Sequence, residues 1–171
     1  MKVFLVGLPG SGKTTFGEAL AKVMNLPFVD LDYDIAFTEK KSIATIFESE
    51  GEETFRKLES QHLRTWCEKK EDFLMATGGG TPCFFSNMDV MNKAGVSVFL
   101  DTSIHVIASR MKNTELGRRP LFANQTVETI AGRVAQMRKE RITFYQQAKL
   151  ICADDAPNVD DIARQLRALE R

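Results

Sequence analysis

The chain contains few cysteines. Cys67, Cys83 and Cys152 are odd in number, lie far apart and form no C-x-x-C pair. That pattern fits neither a disulfide framework nor a zinc site. The three residues are therefore expected to be reduced packing residues, and the expected compartment is the cytoplasm.

The sequence also lacks an excess of charge and any long apolar run. Its 23 Lys and Arg residues balance its 23 Asp and Glu residues, which gives no electrostatic reason for binding nucleic acid or an acidic membrane surface. The apolar runs are far shorter than a membrane span, no signal peptide is visible, and there is no repeat or linker. With 171 residues, 43% of them hydrophobic, the chain is expected to form a single domain over residues 1–171.

The most informative motif is G-x-x-x-x-G-K-T, which runs from Gly7 to Thr14. It lies between an apolar run of strand length and a segment with helical apolar spacing, which is the context of a phosphate-binding loop. Backbone N–H groups at such a loop surround phosphates, Lys13 reaches the β- and γ-phosphates, and the Thr14 hydroxyl ligates Mg²⁺. The predicted nucleotide-binding residues here are Gly10, Ser11, Gly12, Lys13, Thr14 and Thr15.

Strand-like and helical segments alternate along the chain. The predicted strands are 3–6, 27–29, 73–76, 96–100 and 150–152, and the predicted helices are 13–24, 42–47, 52–68, 103–111, 126–145 and 159–169. Each strand is apolar throughout, which favours an α/β fold with a parallel sheet covered by helices on both faces. The segment 32–70 is predicted to be helical throughout and to form a flap at the carboxyl edge of the sheet, where ligands bind in such folds.

Two carboxylates follow the second predicted strand. Asp30 and Asp32 are separated by one residue, and they point the same way if the extended conformation persists. Beside a phosphate loop, one would hold Mg²⁺ through water and the other an acceptor hydroxyl. The alternative is a turn and helix-capping cluster, since Asp favours both.

An arginine interrupts an apolar helical stripe. Val127, Ile130, Val134, Met137 and Phe144 recur at steps of three and four, and Arg141 occupies the missing step. A guanidinium is always charged and is seldom buried without a partner. Arg141 is therefore predicted to face a ligand pocket; a buried structural ion pair and a side chain reaching solvent are the alternatives.

The helix predicted over 52–68 carries a second arginine. Arg56 and Glu59 lie three residues apart and are able to pair with each other, which without further context indicates a solvated ion pair of little worth. His62 lies on the apolar stripe of the same helix and is interpreted as a satisfied core or boundary residue.

Two loops complete the candidate site. Gly78, Gly79 and Gly80 follow the third predicted strand and allow backbone to approach a ligand without interference from a Cβ. The segment 111–126, with Gly117, Arg118, Arg119 and Pro120 at its centre, has the composition of a mobile loop and is predicted to be a lid.

In this order the segments resemble the shikimate kinase family. The resemblance covers nearly the whole chain and is carried by GLPGSGKTT at 7–15, DLD at 30–32, SIATIFESEGEETFRKLE at 42–59, TGGG at 77–80, GRRPLF at 117–122 and RKERITFYQQA at 138–148. It implies a nucleoside-monophosphate-kinase-like P-loop fold whose five parallel strands have the order 2-3-1-4-5. It also implies Mg²⁺-dependent phosphorylation of shikimate by ATP, small-molecule partners only, and a monomer.

The resemblance also implies residue roles. Asp30 matches the position that helps to hold Mg²⁺, and Asp32 the position that contacts the shikimate hydroxyls and acts as base. Arg56 and Arg141 match the pair that grips the shikimate carboxylate across an acceptor-binding segment of about 32–60. Among the glycines Gly78 to Gly80, Gly79 matches a backbone N–H donor. Arg110 matches a position near the nucleotide, and Arg119 matches the lid arginine that reaches the transferring phosphoryl group.

Departures and alternatives are visible. Residues 153–157 match the family's adenine-binding loop only loosely, and Arg118 and Phe122 are unusual neighbours for the lid arginine. A kinase of another small hydroxy-acid such as gluconate, a nucleoside-monophosphate kinase and a nucleotide-dependent regulatory module are the competing hypotheses. The last would have no use for Asp32, Arg56 and Arg141 at a second site.

Overall fold

The computed structural model describes residues 1–115 and 125–169, with side chains 114 and 115 left out. The elements in chain order are β1 Lys2–Val6, α1 Lys13–Met24, β2 Phe28–Asp30, α2 Leu31–Glu39, α3 Ile43–Glu68, β3 Phe73–Ala76, α4 Asn87–Ala94, β4 Val96–Leu100, α5 Ile104–Glu115, α6 Val127–Tyr145, β5 Leu150–Cys152 and α7 Val159–Leu169. A 3₁₀ turn at Thr81–Cys83 follows β3.

The five strands form one parallel sheet in the order β2-β3-β1-β4-β5, which confirms the predicted fold class and strand order. Each strand is short and apolar because both of its faces are covered. In β1, Val3 and Leu5 pack into a core with α1 and α7, while Phe4 and Val6 pack into a second core with α2 to α6. Two cores on either side of one sheet make a three-layer domain, and the carboxyl ends of all strands meet at one edge.

The flap over residues 32–70 is helical in three pieces, which are α2 and the two parts of α3. The helix α3 is broken at Gly51, whose φ of 84° lies in the left-handed region that favours glycine, and this break separates the two helices predicted over 42–47 and 52–68. The helix α4 and the 3₁₀ turn before it were not predicted. The segment 81–94 has mixed polarity and a proline, and its helical apolar spacing is too short to stand out.

Candidate active site

The phosphate loop lies between β1 and α1, as predicted. Gly10 and Gly12 have φ values of 78° and 93°, and Gly12 is the N-cap of α1. Residues that carry a side chain rarely adopt such positive φ values, which explains why glycine occupies both positions. The Thr102 hydroxyl donates to the Ser11 carbonyl at 3.0 Å and fixes the loop to the end of β4. The loop is thus set at the positive end of a helix dipole, where anions are stabilised.

Lys13 is buried in this loop. Its Nζ donates to the carbonyl oxygens of Gly7 and Leu8 at 2.9 and 2.8 Å. Burial lowers the pKa of Lys13 to about 8, and the negative charges of Asp32 and Asp30 oppose that shift. The ammonium is therefore held directly over the loop that is expected to receive phosphates.

Asp30 serves as both a helix cap and a partner of the phosphate loop. The Thr14 hydroxyl donates to its Oδ2 at 3.1 Å, and the Tyr33 N–H donates to its Oδ1 at 3.1 Å. Because Asp30 is the N-cap of α2, the extended conformation ends there and does not continue to Asp32. The two readings offered for Asp30, capping residue and site residue, are therefore compatible.

Asp32 lies in the first turn of α2 and still reaches the same edge of the sheet. Its Oδ1 is buried and has no hydrogen-bond partner among the described residues. The pKa of Asp32 is raised to about 6, mainly by burial and in addition by the charges of Glu59 and Asp30. A carboxyl with such a pKa is suited to accept a proton near neutral pH.

These residues line one cavity of about 350 Å³ at the carboxyl edge of the sheet. Its lining joins the phosphate loop, both carboxylates and the first two glycines after β3: Pro9, Gly10, Gly12, Lys13, Thr14, Thr15, Asp30, Asp32, Thr77, Gly78 and Gly79. A second cavity of about 480 Å³ adjoins the other side of the phosphate loop.

Arg56 is buried and held on several sides. Its Nη1 donates to Glu59 at 2.9 Å, its Nε and Nη2 donate to Glu52 at 3.3 Å, and its guanidinium lies 4.6 Å from the ring centroid of Phe84. Glu59 is fully buried and also accepts a hydrogen bond from the Thr81 hydroxyl. The expectation of a solvated ion pair is wrong here, because α3 presses this pair against the turn after β3.

Side chains from several elements of the site lie close to the three glycines. A Cβ at Gly80 would lie 2.5 Å from Arg56 Nη2, and a Cβ at Gly79 would lie 2.6 Å from Pro9 and 3.2 Å from Arg141 Nη1. A Cβ at Gly78 would lie 2.7 Å from Glu59 and 3.1 Å from Asp32 Oδ1. Any side chain here would collide with a neighbouring protein group, so the absence of side chains lets Glu59, Pro9 and Arg56 approach this backbone closely.

The stripe on α6 ends differently from its prediction. Ile130 and Val134 are buried as expected, but the fully buried aromatic is Tyr145 and not Phe144. Arg141 is half-buried, lies one turn before Tyr145 and reaches the glycine triplet. The sequence did not single out Tyr145. An aromatic four residues after an arginine on an apolar face was the available signal.

The second cavity is bounded by Arg110 and residues 155–157. Arg110 donates to the carbonyl oxygens of Gly10 and Asp155 at 3.4 and 3.1 Å. The Asp155 carboxylate accepts hydrogen bonds from the Ser103 N–H at 2.6 Å and from its hydroxyl at 3.0 Å. The loop that matched the family loosely in sequence is thus fixed beside the phosphate loop.

Other predicted residues take simpler positions. His62 is largely buried, with Nδ1 2.8 Å from Asp34 and Nε2 3.6 Å from Glu39, which agrees with a satisfied boundary residue. All three cysteines are free. Arg119 and residues 116–124 of the predicted lid lie outside the described residues.

No described helix is long and apolar enough to cross a membrane. No group of three or more His, Cys, Asp or Glu side chains in the described ranges is arranged to hold a metal ion.

The fold and the site together define a P-loop kinase: a parallel sheet in the order 2-3-1-4-5, a phosphate loop before α1, and an acceptor cavity against it. The family model for shikimate kinase matches residues 9–170. The chain belongs to the shikimate kinase family.

Individual shikimate kinases are similar to this chain over nearly its full length. A shikimate kinase from Azobacteroides pseudotrichonymphae is 39% identical over 165 residues, which covers 96% of each chain. The crystal structure of a shikimate kinase from Bacteroides thetaiotaomicron superposes with a TM-score of 0.87 at 33% identity, over 99% of this chain and 98% of that one. A shikimate kinase from Acinetobacter baumannii, solved in complex with shikimate, superposes with a TM-score of 0.81 at 29% identity, over 99% of this chain and 92% of that one.

Proposed function

We propose that the protein transfers the γ-phosphate of ATP to the 3-hydroxyl of shikimate, giving shikimate 3-phosphate and ADP. The observation that supports this most is the convergence of Lys13, Asp32, Arg56 and Arg141 on one edge of the sheet, around the glycine triplet. Membership of the shikimate kinase family supports the same acceptor. The reaction is a step in aromatic amino-acid biosynthesis.

The nucleotide is assigned to the phosphate loop and the adjoining cavity. Backbone N–H groups at Gly10, Ser11 and Gly12 receive the β-phosphate, and the Lys13 ammonium moves from the loop carbonyls to the β- and γ-phosphate oxygens. Thr15 follows in the first turn of α1, within the lining of both cavities. Arg110 and residues 155–157 enclose the space left for the nucleoside.

A divalent cation fits beside the phosphate loop. The Thr14 hydroxyl and the Asp30 carboxylate already face each other at 3.1 Å, and both offer the oxygen donors that Mg²⁺ prefers. Thr14 would bind Mg²⁺ directly and Asp30 through water. The ion would neutralise charge on the phosphates during transfer.

The acceptor is assigned to the space between Asp32 and the two arginines. Planar guanidinium groups on Arg56 and Arg141 match a carboxylate with charge-assisted bonds, and the Gly79 N–H, flanked by Gly78 and Gly80, donates to a hydroxyl. Asp32 receives the hydroxyl proton as the new oxygen–phosphorus bond forms and the bond to the ADP oxygen breaks. Arg119 is proposed to stabilise the transferring phosphoryl group from the lid.

Shikimate is distinguished from gluconate and from nucleoside monophosphates by direct binding. Isothermal titration of shikimate into the protein with Mg²⁺ and a non-hydrolysable ATP analogue should show one binding site. Gluconate and AMP, titrated in the same way, should show none. Saturable binding of gluconate or AMP without binding of shikimate would contradict the proposal.

The remaining expectations about the cell are proposals of the same kind. A cytoplasmic enzyme agrees with three free cysteines. Small-molecule partners agree with the acceptor cavity, and a monomer is the family expectation.

A further inference from the structure

The hydroxyl of Tyr145 donates a hydrogen bond to the carbonyl oxygen of Gly79 at 2.6 Å. Tyr145 is the last residue of α6 and is fully buried, with its ring centroid 5.1 Å from that of Phe99. The bond joins the end of α6 to the middle of the glycine triplet, 66 residues away in sequence. Tyr145 itself does not line the acceptor cavity.

The glycine triplet is held at both ends as well. Before it, the Thr77 hydroxyl donates to the Leu5 carbonyl at 2.9 Å. After it, the Asn87 amide donates to the Thr81 carbonyl at 3.0 Å. These bonds fix the flanks, while the three glycines between them have no side chain of their own to pack. The Gly78 and Gly80 carbonyls accept hydrogen bonds from the N–H groups of Thr81 and Cys83 at 3.1 and 2.9 Å, and the Tyr145 hydroxyl bonds to the remaining carbonyl of the triplet, that of Gly79.

The tyrosine also lies beside a proposed substrate contact. It follows Arg141 by one helical turn, so both side chains leave α6 on the same face. Burial raises the pKa of Tyr145 to about 12, and the nearby Arg141 charge opposes that rise. The hydroxyl consequently keeps its proton and its donor role at physiological pH.

We propose that Tyr145 is a positioning residue for the acceptor site, which orients the peptide groups of residues 78–80 and sets their spacing from Arg141. It acts through Gly79 and Arg141 and touches no reacting atom. The inference rests on the proposed function, since it assigns the acceptor to that space.

Two variants, each of which lacks one buried hydroxyl group, test this proposal. Tyr145→Phe keeps the ring and deletes the hydroxyl, which bonds to Gly79 and also to the Arg141 side chain. Ser97→Ala is the matched control, because it also deletes a fully buried hydroxyl that makes two hydrogen bonds, to Asn92 and Lys149, near the start of β4 and away from the carboxyl edge. Both variants should fold, with similar small losses in Tm.

For Tyr145→Phe we expect the KM for shikimate to rise about fivefold to tenfold, the factor that one hydrogen bond supplies. The KM for ATP should stay within about twofold, and Ser97→Ala should change neither constant. Hydrogen exchange of a peptide covering residues 77–81 should become faster in Tyr145→Phe alone. That last readout needs no substrate.

A shikimate KM that is unchanged in Tyr145→Phe, or raised equally in Ser97→Ala, would overturn the positioning role. If the wild-type protein does not phosphorylate shikimate, the proposed function fails by that result alone. The exchange rates then still decide on Tyr145, because unchanged exchange at residues 77–81 would show that its hydroxyl does not hold the turn.

Discussion

The Glu59 carboxylate, which solvent does not reach, accepts a hydrogen bond from Arg56 Nη1 at 2.9 Å. A buried carboxylate needs its charge compensated, and Arg56 supplies the compensation. In return Arg56 is fixed next to Gly80, with its guanidinium already desolvated. The pair thus prepares one half of the proposed carboxylate grip before any acceptor arrives.

Glu59→Gln should therefore weaken shikimate binding. The neutral amide keeps the shape but loses the negative charge that pairs with Arg56, so we expect the KM for shikimate to rise about tenfold, with a much smaller change for ATP. Glu53→Gln is the matched control, since Glu53 lies on the same helix, is exposed, and pairs with Lys57 on the surface. Equal effects of the two substitutions on the shikimate KM would contradict the role of Glu59.

The pH dependence should report on Asp32. The pKa of Asp32 is raised to about 6, first by burial and then by Glu59, and only the ionised form accepts a proton. The value of kcat/KM for shikimate should then fall about tenfold per pH unit below that pKa and level off above it. In Glu59→Gln the acid limb should move to lower pH, because one cause of the raised pKa is gone. An acid limb that stays in place would mean that another group controls it.

The substitution Asp32→Asn should lower kcat and raise Tm. The folded-state pKa lies above the unfolded value, so ionising Asp32 costs the native state stability as pH rises from about 4 to about 6, and that cost persists above. The variant should gain about a few degrees in Tm at pH 8 and much less at pH 4.5. Its kcat should fall about 10²- to 10⁴-fold. Melting curves at both pH values and steady-state kinetics check the two halves, and a gain in Tm that is equal at both values would contradict the assignment.

Arg141→Lys should raise the shikimate KM by about tenfold or more, because it keeps the charge and loses the planar fork. ATP binding should stay nearly unchanged. Arg133→Lys is the control, since Arg133 lies on the same helix and is exposed. Normal shikimate binding by Arg141→Met would show that the position on the apolar stripe is structural.

Much of the architecture was predictable because it follows from local patterns. The glycines and lysine of the phosphate loop and the apolar strands carry their own signals, and the strand order came with the family resemblance. What could not be predicted depends on contacts distant in sequence. Glu59 is buried against the turn that contains Thr81, which donates a hydrogen bond to it. The aromatic residue buried at the end of α6 is Tyr145 and not Phe144, and its hydroxyl bonds to Gly79. The helix α2 begins directly after the Asp30 cap, so the extended conformation does not persist between Asp30 and Asp32.

The central claim is that shikimate is the acceptor, and a competition assay tests it most directly. The protein is supplied with MgATP and equal amounts of shikimate, gluconate and AMP, and products are identified by phosphorus NMR and mass spectrometry, with Lys13→Ala as the inactive control. The account predicts shikimate 3-phosphate formed in step with ADP, and no other phosphorylated acceptor. Phosphorylation of gluconate or AMP with shikimate left intact would contradict it.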